Sequence, residues 1–264
     1  MPPETAKKLS DVYAFARAQC PAYKNLPDVS IPKAWSSVPL STKETFRSAP
    51  SLLTYPETEV RYLVSEFAGD HPEELFLIPH RIDAQWTMLE SEISEIKPFV
   101  GVLAIPLFWQ VAPFFYTTFR KHHVPVSVLT PRNLPLAVQL IKETKADMVV
   151  STPEIAAELS GLLVKDALAA QIRAWHLIVP FGQKINTPEL HASFFIEYHL
   201  FPGIAVARAL PGGSWAPLPE FYVEVGERGT CIISSLEKHA LPLIRYDSGV
   251  PVRRQEEGDA FSFV

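Results

Sequence analysis

The clearest periodicity in the chain lies between residues 82 and 97. There Ile82, Trp86, Leu89, Ile93 and Ile96 recur at intervals of three and four, with Asp83, Glu92 and Glu95 available for solvent. Such a stripe predicts a helix with one face on a core. Downstream, the apolar runs Val100 to Ile105, Val124 to Leu129, Met148 to Val150 and His176 to Val179 are each short enough to be buried strands. Helix-start signatures fall between and after them. Ser151-Thr152-Pro153-Glu154 combines a capping hydroxyl, an early Pro and a Glu three residues after Ser151, and Thr187-Pro188-Glu189 repeats most of that pattern. Ser41-Thr42-Lys43-Glu44 offers another capping box, so a short helix is expected to start there. After Pro202 come short extended stretches, Phe221 to Val225, Thr230 to Ser234 and Leu243 to Tyr246, broken by Gly and Pro.

This alternation predicts an α/β fold: a parallel-rich layered sheet with flanking helices, plus a smaller C-terminal β-rich lobe. The expected organisation is a helical and loop segment over 1–58, an α/β core over 59–201 and the β-rich lobe over 202–264. The most apolar stretch, Phe99 to Phe115, carries Pro106, Gln110 and Pro113. It falls short of the roughly 20 apolar residues of a spanning helix and reads as buried strand, loop and helix start.

Composition narrows the function. With 47% apolar and 20% charged residues among 264, and a net charge of -5, the chain has the material for a core and no electrostatic attraction for nucleic acid. Proline is abundant at 25 and glycine scarce at 11, where average usage would give roughly 13 and 18. Glycine lets backbone N–H groups approach an anion, so a phosphate-wrapping loop is not expected. The two cysteines, Cys20 and Cys231, lie far apart, which fits buried free thiols in a reducing compartment. The N-terminus lacks the apolar stretch of a secretory signal, so a cytoplasmic location is expected, without a membrane partner.

A search for catalytic groups returns none. Gly212-Gly213-Ser214-Trp215 lacks the second flanking Gly of a nucleophile elbow. His122-His123 and the pair His191 and His199 do not match metal-ligand spacing. Glu90, Glu92 and Glu95 lie on a helix face expected to meet water and receive no acid or base role.

One resemblance rises above this background. AYKNLPDV and IPKAWSSVPLSTKETFR, within Ala22 to Arg47, and LPLIRYDSGVPVR, Leu241 to Arg253, are similar to the opening and closing segments of the N-terminal domain of phenylacetate-CoA-ligase-like adenylate-forming enzymes. Between them, VVSTPEIAAEL (Val149 to Leu159) and FGQKINTPEL (Phe181 to Leu190) fall in the order of the family's acyl-pocket and adenine-contacting segments. The resemblance implies an acyl or carboxylate site at Ser151, Thr152, Pro153 and Phe181. It also implies nucleotide contacts at Gly182, Gln183, Arg245, Tyr246 and Asp247.

Four departures bear on ATP and Mg²⁺. The stretch Ser65 to Phe76, aligned with the phosphate loop, has one Gly, no Lys or Arg, and the carboxylates Glu66, Asp70, Glu73 and Glu74. It is expected to be a solvated acidic turn between two strands. Ala205 to Gly213, where the family has an aromatic-Gly-x-Thr-Glu phrase, supplies neither ring nor carboxylate. The ribose-binding Asp is replaced by Val250, with Asp247 three residues earlier and, on an extended strand, on the opposite face. The family's catalytic Lys belongs to a C-terminal domain that would have to come from a partner protein. The resemblance therefore implies a nucleotide-degenerate module that binds a small carboxylic acid, an acyl group or a partner, with no cofactor. The alternative is a divergent ATP- and Mg²⁺-dependent acid-thiol ligase completed in trans.

Overall fold

The computed structural model describes residues 1–42, 62–66, 76–80, 83–105, 111–129, 133–183, 190, 192–200, 205–210, 213–238, 242–255 and 260–264. They form two compact units: residues 1–82 with 210–264, and residues 83–209.

The first unit opens with helix α1 (Pro3–Gln19), which has Pro3 in its first turn and buries Ala6, Leu9, Val12, Tyr13 and Ala16 along one face. Strands β1 (Tyr62–Glu66) and β2 (Phe76–His80) pair antiparallel as a separate two-stranded sheet. The expected acidic turn is thus flanked by the strands foreseen, while its tip lies outside the described residues. So does the helix expected from Lys43 onward. Ser41 itself bridges Tyr246, and its Oγ donates to the Ile244 carbonyl.

The second unit contains helices α2 (Asp83–Ile96), α3 (Val111–Lys121), α4 (Leu134–Thr144) and α5 (Pro153–Lys165). Between them run β3 (Gly101–Ala104), β4 (Val126–Val128), β5 (Met148–Ser151) and β6 (Ala174–Pro180), followed by β7 (Phe194–Leu200) and β8 (Ala205–Ala209). The order across this part of the sheet is β4-β3-β5-β6-β7-β8, parallel except for β8. Alternate strand residues serve opposite faces. Val102, Val149, Trp175 and Leu177 join Ala137 and Ile141 of α4 and Leu159 of α5 in one cluster. On the other face, Phe119 of α3 lies over Gly101 and Phe115 of α3 meets His176 of β6 edge-on at 4.7 Å. No helix among the described residues is long and apolar enough to cross a membrane.

The strand ends are fixed by one carboxylate. Asp147 Oδ1 accepts from the N–H groups of Phe99 and Val100, and Oδ2 accepts from Arg173, whose other nitrogen reaches the Ile96 carbonyl. The entries to β3, β5 and β6 and the end of α2 thereby share one hydrogen-bonded knot.

The chain returns to the first unit with β9 (Trp215–Pro217), β10 (Phe221–Val225), β11 (Thr230–Ser235), β12 (Tyr246–Arg254) and β13 (Phe261–Phe263), in the order β10-β11-β12-β13-β9 and antiparallel throughout. Leu243 to Tyr246 was expected to be extended, but the strand starts only at Tyr246 and Arg245 has a positive φ of 44°. The reason is a clasp. Arg245 Nε donates to Glu224 and Nη1 to the carbonyls of Ser36 and Val38, while Trp35 Nε1 donates to the other Glu224 oxygen.

Gly101 gives a direct test of the packing. An added Cβ would sit 2.8 Å from the Phe119 ring. Gly101→Ala is expected to cost about 1–3 kcal/mol, read as a lower urea midpoint, and pairing it with Phe119→Leu should recover part of the loss.

Candidate functional site

In an open parallel sheet, ligands bind beyond the carboxyl ends of the strands where successive crossovers leave in opposite directions. In the second unit that point lies between β3 and β5. β3 leads through α3 to β4 on one side, whereas β5 leads through α5 to β6 on the other. Ala104 and Ser151 are paired there.

Six of the sequence-derived residues sit at the neighbouring ends of β5 and β6. Ser151 ends β5, and its Oγ is buried with no hydrogen-bond partner among the described residues. Leaving a hydroxyl unmet costs about 1–3 kcal/mol. Thr152 caps α5 at the outer limit of hydrogen-bond length, accepting from Ile155 N–H at 3.5 Å, and Pro153 occupies the first turn. Phe181 and Gly182 form the turn after β6, where Gly182 has a φ of 89° that a side chain would resist. Gln183 closes it, its N–H donating to Pro180 and its side-chain Nε2 to Glu154 Oε1 at 3.1 Å. The segments 151–154 and 181–183 are therefore adjacent. Burial pushes the Glu154 carboxyl up, but hydrogen bonds from its own N–H, Thr152 and Gln183 outweigh it and hold the pKa below the ordinary value.

The remaining candidates, Arg245, Tyr246 and Asp247, belong to the first unit. Arg245 is engaged in the clasp, and Tyr246 is buried. Asp247 does not lie on a plain extended strand. Opposite Thr230 and Ile232 of β11 stand Pro251 and Asp247 of β12, so β12 carries two extra residues in a bulge, with Gly249 at a φ of 71°. Counting faces from Asp247 to Val250 by alternation therefore fails. Asp247 Oδ1 accepts from Gly249 N–H at 3.0 Å and Oδ2 from Arg228 at 2.6 Å. Burial opposes ionisation, but these bonds, a further one from Thr230 and the Arg228 charge keep its pKa below the ordinary value.

One cluster escaped the sequence reading. Glu92, expected to face solvent, is buried. Its Oε1 lies 3.8 Å from Arg208 Nη1, and its Oε2 lies 3.9 Å from Nε2 of His176, which is wholly inaccessible. Burial, and secondarily the Arg208 charge, push the His176 pKa down to about 3, so the imidazole is neutral and the 3.9 Å approach is a contact, not an ion pair. The helical stripe gave no warning, because Glu92 sits beside Ile93 at the edge of the apolar face and its burial depends on strands 84 and 116 residues downstream.

No family model matches the chain, and no curated protein matches it. Solved structures do. The chain is similar to 2-hydroxyisobutyryl-CoA ligase in complex with 2-HIB-AMP, with a TM-score of 0.68 and 13% identity over 98% of this chain and 65% of that one. It is also similar to the amide bond synthetase McbA from Marinactinospora thermotolerans, with a TM-score of 0.58 and 13% identity over 80% of this chain and 49% of that one. O-succinylbenzoate coenzyme A synthetase from Bacillus subtilis, in complex with AMP, gives 0.54 and 12% over 76% and 48%. At such identities the likeness shows the fold, which is that of adenylate-forming enzymes. The chain spans less than two thirds of these three proteins' lengths.

The buried imidazole predicts an acid-labile unit. Its folded pKa is about 3, against about 6.5 unfolded. The unfolded state therefore takes up the proton first, and stability is lost as pH falls from about 6.5 toward 3. Between pH 7 and 5, urea unfolding should show wild type losing about 2 kcal/mol more than His176→Leu. Parallel profiles would mean that the imidazole is protonated as the partner of Glu92.

Proposed function

We propose that this chain is a ligand-binding module on the adenylate-forming fold that does not handle ATP, its ligand a small carboxylic acid or acyl group held at the β5 and β6 ends. The observation that carries the reading is the state of Asp247. The family's ribose position is Val250, and the nearest carboxylate on that strand already accepts from Gly249 and Arg228. Ribose hydroxyls would have to displace a charge-assisted bond to use it. The residues present do not fit a nucleotide. The acidic stretch with Glu66, Asp70, Glu73 and Glu74 supports the same reading, since each carboxylate at contact distance would repel a triphosphate by about 1 kcal/mol even in water. So does the segment from Ala205 to Gly213, which offers Mg²⁺ no carboxylate.

A site saturated about a hundredfold with Mg-ATP would stabilise the fold by about 2.7 kcal/mol, or about 5–10 °C at this size. The expected shift at about 1 mM Mg-ATP is below about 1 °C, and Val250→Asp alone should release no pyrophosphate above background. A shift of several degrees, absent with Mg²⁺ alone, would favour the alternative of a divergent ligase completed by a partner protein. Monocarboxylic acids, by contrast, should raise the melting temperature.

A further inference from the structure

Resting on that carboxylate-binding reading, the distribution of charge at the β5 and β6 ends says more about which acids fit. Among the described residues of 151–154 and 181–183, Glu154 is the only ionisable side chain. It is exposed, and Gln183 and Thr152 hold it in its charged form. The N–H groups that a helix start would offer an anion are otherwise committed. Pro153 has none, that of Glu154 faces its own carboxylate, and that of Ile155 is capped by Thr152. This helix start therefore presents a negative group where an anion would need positive potential. A second observation points to a polar visitor at the same strand end, namely the buried Ser151 hydroxyl with no partner among the described residues.

We infer that Glu154 is a specificity-determining residue that sorts ligands by the charge of the end entering this crevice. An acid enters with its carboxylate directed away, and its far end is neutral or, better, a hydrogen-bond-donating cation such as an ammonium. An acid with a second carboxylate is refused. The ligand class is thus the monocarboxylic acid or ω-amino acid, not the dicarboxylic acid.

The test uses three probes of equal length, hexanoate, 6-aminohexanoate and hexanedioate, titrated calorimetrically at low salt so that screening does not erase the difference. In wild type, hexanoate should bind at least about fivefold tighter than hexanedioate, the ratio one like charge at contact distance produces, with 6-aminohexanoate at least as tight as hexanoate. Glu154→Gln should bring all three within about twofold of one another. Glu154→Asp, which keeps the charge while shortening the reach to Gln183, should preserve the wild-type order and so separates charge from the hydrogen bond. Hexanedioate binding wild type as tightly as hexanoate overturns the inference and leaves the carboxylate-binding reading standing. An order unchanged in Glu154→Gln overturns it likewise. No binding by any probe to wild type overturns both.

Discussion

The handedness of strand-helix-strand crossovers is the constraint from which the site follows. A right-handed crossover that moves one way along a sheet puts its helix on one face, and one that moves the other way puts it on the opposite face. Here β3 to β4 runs outward with α3 on the Gly101 face, and the chain then returns across β3 through α4 to β5 with α4 and α5 on the other face. The connections from β3 and β5 therefore leave on opposite faces, which makes the carboxyl ends of these two strands, where Ala104 pairs with Ser151, the place such a fold offers a ligand. No residue there has to be specialised for that place to exist. In the proposed reading, Ser151, Glu154 and Gln183 would specialise it.

The two ends of this sheet treat polar groups in opposite ways. At the amino ends, Asp147 is saturated by Phe99, Val100 and Arg173, and Gln171 caps the carbonyls of Ile141 and Ala146. At the carboxyl ends, the Ser151 hydroxyl is left without a partner among the described residues. A buried hydroxyl left unpaired at one end of a sheet whose other end is saturated is the exception that calls for an explanation.

Much of the fold was legible because its signals are local. The β10 segment was recovered at both ends as a short extended stretch bounded by Gly and Pro, α2 to within a residue from its stripe, and α5 from the Thr152-Pro153 start. What local pattern could not supply was partnership. Glu92 is buried because β6 and β8 deliver His176 and Arg208 beside it, and no periodicity within α2 records that. The strand expected at Leu243 gives way to a bend because Arg245 reaches carbonyls more than 200 residues upstream. The bulge at Gly249 likewise defeats an alternation argument that would hold on a regular strand. The site segments at Ser151 and Phe181 were named from resemblance, and their adjacency came only with the Gln183 to Glu154 bond.

The Arg245 clasp also sets a timetable for biosynthesis. Ser36 emerges 209 residues before the guanidinium that binds its carbonyl, and Trp35 emerges 189 residues before Glu224. At about 5–20 residues per second, translation takes on the order of 10–40 s to cover that gap. Residues 83–209 can complete their own core during this interval. The opening helix and its Trp35 cannot, and for that time their apolar face has no native partner on the C-terminal strands. Until Glu224 and Arg245 are translated, the backbone of Ser36 and Val38 and the Trp35 indole lack the side chains that bind them in the folded unit.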